Sequence, residues 1–401
     1  MPMNLRRYIR PFARVACRLR EWLDLAVGLG LGTALWSLSR YRPVQVQQLV
    51  VARIGHLAIE PGLFLGRRSL AGSPRGSVWF FAEGPVCNEA LLEKWRQILP
   101  IGPAGLLGPI YRASRRFRWL GLHPLDWPSL SHSDFRSLDG RTPLWSFNDS
   151  ERALGEALFR ELRVPEGRPY VCLAIRDGAY LRATDTSRNW DYSDYRDSQI
   201  SDYGPMSEKL VERGYAVLRM GRIVESALLS KSPEVIDYAN SPLRSDFADL
   251  WLFANCAFCI STSTGMDALA STQLRPMGRV NISTSASLIV GEMSKLVMFK
   301  DLVDLRNGEV LKLLDDRRPA AMGFTHISQL TDMGLALRDN SPADLEAFAN
   351  EMVDLLEGHW QPTAEQVAIE KKFLSLLRSP PDLILTEASF HISPAWLQSR
   401  S

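Results

Sequence analysis

Four short stretches hold residues whose types and spacing could do chemistry, and each follows an apolar run. The first is Arg53-Ile54-Gly55-His56-Leu57, with Glu60 just beyond. The run 47–54 reads as a strand, Gly55 would let the chain turn sharply at its end, and open α/β sheets bind ligands at the carboxyl ends of strands. A histidine there could act as a general base, because its pKa lies near working pH. Glu60 could be the base itself or could orient His56. A satisfied histidine in a plain turn is the bland alternative.

The second stretch is Arg176-Asp177-Gly178, after the buried-type strand 170–175 (YVCLAI). An arginine at that exit could fork onto a diphosphate, with Asp177 orienting it. An exposed Arg–Asp pair would be worth little. The third is Arg219-Met220-Gly221-Arg222, at the end of the apolar run 215–220, where two arginines flank a glycine. Either could equally be an exposed strand-end charge. The fourth is Ser261-Thr262-Ser263-Thr264-Gly265 between a strand (257–260) and a helix expected over 264–271. Free N–H groups at a helix start form an anion site, and hydroxyls add donors without bulk. The polar, aromatic segment 191–196 reads as a mobile loop, with Arg196 the only residue in it given a chemical role.

Other chemistries lack their residues. No Walker A loop is present, and Gly28-Leu29-Gly30-Leu31-Gly32 does not follow a strand. Cys256 and Cys259 form a C-x-x-C with apolar flanks and no second pair, so they read as small buried hydrophobes. Five scattered cysteines argue for reduced thiols. His123 and His132 lie in an irregular stretch, and His326, His359 and His391 stand alone. A metal-independent reaction without a bound cofactor is the expectation.

Strands alternate with amphipathic helices from Pro43 onward, which predicts α/β architecture with parallel, doubly wound sheets. Helices are expected over 88–99, 149–162, 206–213, 245–255 and 342–356, and further strands over 77–82 and 278–282. Pro165-Glu166-Gly167-Arg168-Pro169 is the expected boundary. It divides an N-terminal domain, 43–165, from a C-terminal domain, 166–375, with a cleft between them and a tail, 376–401, returning to the first.

Residues 1–42 differ from this body. They hold eight arginines against Glu21 and Asp24, an excess of +6 within a chain of net charge +2, so the remainder carries −4. That balance argues against a nucleic-acid partner. An arginine-rich flank, a short apolar run and Trp22 and Trp36 at its ends read as an interfacial helix on the cytoplasmic face of a membrane. A helix packed on the body or a partner, and a true span, are the alternatives. The expected location is cytoplasmic, peripheral to the inner face of the plasma membrane, with an anionic surface met by 1–42.

The ordered set Arg53-Ile54-Gly55-His56-Leu57, Pro61–Leu65, Arg176-Asp177, 215–221, Ser245-Asp246-Phe247 and Ser261–Gly265 resembles a family of bacterial glycosyltransferases over residues 46–356. The Arg-after-strand and Ser/Thr-rich turn also resemble the diphosphate site of fucosyltransferase-type enzymes. The resemblance implies a GT-B fold of two Rossmann-like domains. The acceptor (a glycan or lipid-linked hydroxyl) would lie on the first half and a UDP- or GDP-linked sugar on the second. It implies inverting transfer, with His56 deprotonating the acceptor and Glu60 assisting. Arg176, Arg219 and the amides of Ser263 to Gly265 would offset the departing diphosphate. Ser261 and Thr262 would join them in binding the diphosphate, Arg53, Gly55, Asp177 and Arg222 would support, and Asp246 would hold the ribose or position an arginine. A nucleotide-sugar epimerase and a non-catalytic sugar-binding scaffold are the rival readings.

Overall fold

The computed structural model describes residues 6–39, 43–72, 76–123, 128, 135–184, 186, 190–288, 293–377 and 390–401; for 6–17, 191–193 and 286 it describes the backbone only. The chain divides into two compact units, Met1–Pro128 and Ser129–Ser401.

The first unit begins with a long helix, α1 (Arg6–Ser39). It continues through β1 (Val44–Leu49), α2 (Ile54–Leu70), β2 (Ser77–Ala82), α3 (Glu89–Ile98) and α4 (Ala104–Arg116). β1 and β2 pair in parallel, Ile101 bridges to Phe80, and the Val46 N–H donates to the Leu122 carbonyl. Among the described residues this sheet has two strands. The strand expected over 47–54 ends at Leu49, and α2 starts at Ile54, so Gly55 lies in a helix and not in a turn. α2 tolerates Pro61 for a visible reason. Proline cannot donate to the carbonyl of Leu57, and the buried Trp95 indole N–H donates to that oxygen instead, at 2.8 Å.

The second unit opens with α5 (Asp149–Glu161), closed at its start by a full capping box of Asn148 and Glu151. β3 (Tyr170–Ala174), α6 (Ala179–Thr184), α7 (Gly204–Glu212), β4 (Ala216–Arg219) and β5 (Val235–Ile236) follow. Next come α8 (Asp246–Asn255), β6 (Phe258–Ser261), α9 (Ala268–Thr272), β7 (Met277–Ile282), β8 (Ser294–Phe299) and β9 (Asp301–Asp304). α10 (Arg318–Met322), α11 (Ser328–Asp332), β10 (Leu335–Arg338), α12 (Pro342–Leu356), α13 (Ala364–Leu376), β11 (His391–Ile392) and α14 (Pro394–Ser399) complete it.

α5 belongs to this second unit although the boundary was expected after it. Phe159 packs on Tyr170 of β3, Phe147 on Trp251 of α8, and a side chain at Gly155 would meet the Trp251 ring at 2.0 Å. The C-terminal stretch also departs from expectation. In its described part, β11 adds to the second unit's sheet beside β8. Trp396 of α14 packs on Phe299 and Phe373.

The main sheet has seven parallel strands in the order β11-β8-β7-β6-β3-β4-β5. From β3 the chain winds outward through β4 and β5, then returns to β6 on the other side and winds away. The order therefore reverses between β3 and β6, and their carboxyl ends flank a topological switch point. The core follows from the burial of both faces. Val171, Leu173, Val217, Ile260 and Val297 are fully buried, as are Phe348 and Met352 of α12. Gly278 lets Phe348 lie against β7, where a Cβ would sit 2.9 Å from its ring. β7 bulges between Arg279 and Ile282, where Asn281 takes φ +54°, a conformation asparagine tolerates better than most residues.

Candidate functional site

His56 sits in the first turn of α2, and its Nδ1 lies 2.6 Å from Glu60 Oε1, one helical turn on. The Glu60 side chain is 8% exposed and that of His56 34%. A carboxylate can only accept, so it fixes the proton on Nδ1 and leaves the Nε2 lone pair as the basic atom. The pair arises from helical i,i+4 spacing and not from the expected strand-end turn. Arg53 is the extended residue before α2, with no side-chain cap bond.

The second unit gathers its charged residues at the switch point. The Arg176 N–H, just past β3, donates to Thr262 Oγ1 just past β6, at 2.8 Å. This bond ties the two strand exits together. The Arg176 side chain is 14% exposed, and its Nε donates to Asp197 Oδ1 at 2.8 Å. Arg196 reaches the same turn, donating from Nη2 to the Ser263 carbonyl at 3.1 Å. Burial lowers the Arg196 pKa, and the neighbouring Arg176 charge lowers it further. Asp197 is pushed up by burial against the pull of Arg176. Two arginines repelling each other across one partly buried carboxylate make a place where an anion would be held.

Arg279 was not anticipated. It lies level with Ser261 on the adjacent strand β7 and is fully buried. Its Nη1 donates to Asp267 Oδ2 at 3.2 Å and reaches Ser263 Oγ at 3.5 Å, while its Nε and Nη2 have no hydrogen-bond partner among the described residues. The available signal was an arginine inside an otherwise buried strand, MGRVNI. Lys300, also missed, holds the Asp197 carbonyl at 2.7 Å and Asp339 at 2.6 Å.

Several expected roles change. The helix after the hydroxyl-rich turn starts at Ala268, not Thr264, and runs only five residues. Two of the three amides expected to be free are occupied: Ser261 Oγ accepts from the N–H of Ser263 (3.0 Å) and of Thr264 (3.4 Å) while donating to Asp267, and the neighbouring Thr264 Oγ1 accepts from the N–H of Met266. Ser263 takes φ +60° to close this turn, and Gly265 is exposed. Ser261 thus holds two of the turn's amides from within, as short hydroxyl side chains do when they bond nearby backbone.

Arg219 is fully buried and bonds Asp237 at 3.2 Å, with Asp177 at 3.6 Å. Asp177 accepts from the N–H groups of Ala179 and Glu225, so it orders the loops around Arg219. Arg222 is exposed, and Asp246 occupies the first position of α8, which Ser245 caps.

One turn along, Asp249 faces inward. It accepts from Tyr238 Oη at 2.9 Å, lies 3.4 Å from Arg244, and burial pushes its pKa up to about 7. A raised carboxyl pKa gives stability that is complete below the ordinary value and is lost as pH rises through 7. Asp249→Asn keeps the acceptor for Tyr238 and removes the titration. Its melting temperature is expected to exceed the wild type's at pH 8 and to match it near pH 4, as thermal denaturation at the two pH values would show.

Cys87 is buried, and Cys172, Cys256 and Cys259 are buried free thiols. Among the described residues, no group of three or more His, Cys, Asp or Glu is placed to hold a metal ion. His132 lies outside the described residues.

No family model matches the chain, and no curated protein matches it. Solved structures with partial likeness exist. One is the E. coli ADP-heptose LPS heptosyltransferase II, at 13% identity over 59% of this chain and 83% of that one, TM-score 0.37. A second is a glycosyl transferase family 9 protein from Veillonella parvula, at 9% identity over 60% and 80%, TM-score 0.36. A third is TibC from enterotoxigenic E. coli, a dodecameric iron-containing heptosyltransferase in complex with ADP-D-beta-D-heptose, at 12% identity over 65% and 63%, TM-score 0.30.

Proposed function

We propose that the chain is a glycosyltransferase of GT-B type, moving a sugar from a nucleoside-diphosphate sugar to a hydroxyl acceptor in bacterial glycan synthesis. The observation that carries the reading is the switch point between β3 and β6, where Arg176 and Arg196 converge on the Thr262–Ser263 turn. Open α/β sheets bind ligands at such a point, and a diphosphate is the ligand that two adjacent guanidiniums match. The ordered motif set of the sequence supports the same reading.

In this reading the second unit holds the donor. Arg176 and Arg196 bind the diphosphate and offset its charge as the sugar leaves, with Thr262, Ser263 and Thr264 hydroxyls as further donors and no metal ion. Arg219, Asp177 and Arg279 hold the frame. The first unit supplies the base. His56 takes the acceptor proton at Nε2, and Glu60 stabilises the imidazolium that forms. The acceptor oxygen attacks the anomeric carbon from the side opposite the diphosphate, inverting it.

A thermal-shift screen with UDP, GDP and ADP tests the donor site. At least one is expected to raise the melting temperature in proportion to the logarithm of its concentration. Incubation with the matching nucleotide sugar alone is expected to give no new nucleotide sugar; an epimerised product would replace this reading with an epimerase, and no shift with any nucleotide would remove it.

A further inference from the structure

α1 has two different sides. Asp24, Gly28, Gly32 and Trp36 turn inward onto α4 and the segment after it. Arg112 pairs with Asp24 at 2.6 Å, Gly28 touches the Pro109 backbone so closely that a Cβ would lie 2.0 Å from its oxygen, and Gly32 abuts Leu120 and Leu122. Leu25, Leu29 and Leu35 pack into the same cluster. The other side is apolar and uncovered. Leu19, Leu23, Val27 and Leu31 form a row at four-residue spacing and are 62%, 60%, 53% and 38% exposed, with Trp22 (70%) and Leu38 (66%) beside it. The helix is apolar and long enough over Arg18–Ser39 to cross a bilayer by composition. A span would require the inner side to leave α4 or would drag Arg112, Arg115 and Arg116 into hydrocarbon.

Charge says what covers this row. Six arginines lie between Arg6 and Arg20, and Arg115, Arg116 and Arg118 are exposed at the end of α4. Trp119, 57% exposed, follows them and meets Trp36 of α1 edge-to-face at 5.8 Å. Arginine and tryptophan at the edges of an apolar helical face are the groups that settle at lipid headgroups.

We infer that α1, with the Arg115–Trp119 corner, is a docking face for an anionic lipid surface, with the helix lying in the plane of the interface. This assignment stands independently of the sugar-transfer reading.

The test uses the full chain with vesicles of phosphatidylcholine alone or mixed equally with phosphatidylglycerol. Co-sedimentation is expected to be about tenfold or more stronger on the anionic vesicles and to be reversed by salt. Leu23→Glu with Leu31→Glu replaces only exposed side chains, so its melting temperature should stay at the wild-type value while binding is lost. Equal binding of both vesicle types, absence of binding at low salt, or wild-type binding by the folded double variant overturns the proposal. Membrane-expressed protein that resists alkaline carbonate extraction overturns it in favour of a span. A dimer that the double substitution converts to monomer, with vesicles unbound, overturns it in favour of self-association.

Discussion

Replacing Arg176 by alanine is expected to weaken nucleoside-diphosphate binding by about tenfold to a hundredfold, the worth of a charge-assisted bidentate contact. The effect should be specific, because the link that shapes the site is made by the Arg176 backbone and survives the substitution. Loss of the guanidinium leaves Asp197 with its backbone carbonyl still held by Lys300 and with a carboxyl that burial already favours in the neutral form. The unliganded protein should therefore melt within a few degrees of the wild type. Arg196→Ala should weaken binding as well. The two losses should fall short of additive, since removing either arginine relieves the repulsion the other suffers. Arg176→Lys should recover part of the affinity as charge without the fork. Calorimetric titration of the three single variants and of the Arg176→Ala/Arg196→Ala double variant checks the set, and undiminished affinity in folded Arg176→Ala would remove that residue from the site.

His56→Ala is expected to lower sugar transfer by about a hundredfold to ten-thousandfold and to leave nucleotide affinity unchanged. Glu60→Gln should cost less, because an amide still bonds Nδ1 but no longer stabilises the imidazolium. The two variants separate a base from a structural pair. A histidine serving only to close α2 would lower stability in both and leave the turnover of the folded fraction intact. Steady-state rates against acceptor, with the folded fraction measured in the same samples, decide between these outcomes.

Local elements were legible where sequence and burial speak the same language. The capped helices at Asn148, Ser245 and Ser341 and the apolar strands YVCLAI and SVWFFA lie within a residue or two of expectation. The errors share a cause, which is competition that only the fold resolves. Gly55 reads as a turn, but it lies in α2, whose Leu57 carbonyl, left open by Pro61, is satisfied by Trp95, 38 residues on from Leu57. The Ser261–Gly265 turn reads as an open amide cradle, yet Ser261 closes it from within. Arg219 and Arg176 stand at similar strand exits. Paired carboxylates bury Arg219, while the second arginine, Arg196, is brought beside Arg176 by a loop no local pattern specifies. Arg279 is placed by its register opposite Ser261 across β6 and β7, which no local pattern specifies.

The central claim is that a diphosphate sits where the strand order reverses. The most direct measurement is a crystal structure of the protein with the nucleoside diphosphate that binds best in the thermal screen. The account predicts the diphosphate at the carboxyl ends of β3 and β6, bonded to the guanidiniums of Arg176 and Arg196 and to the hydroxyls of the Thr262–Thr264 turn. A nucleotide bound elsewhere on the chain, with Arg176 still bonded to Asp197 and Arg196 to Ser263, would contradict it.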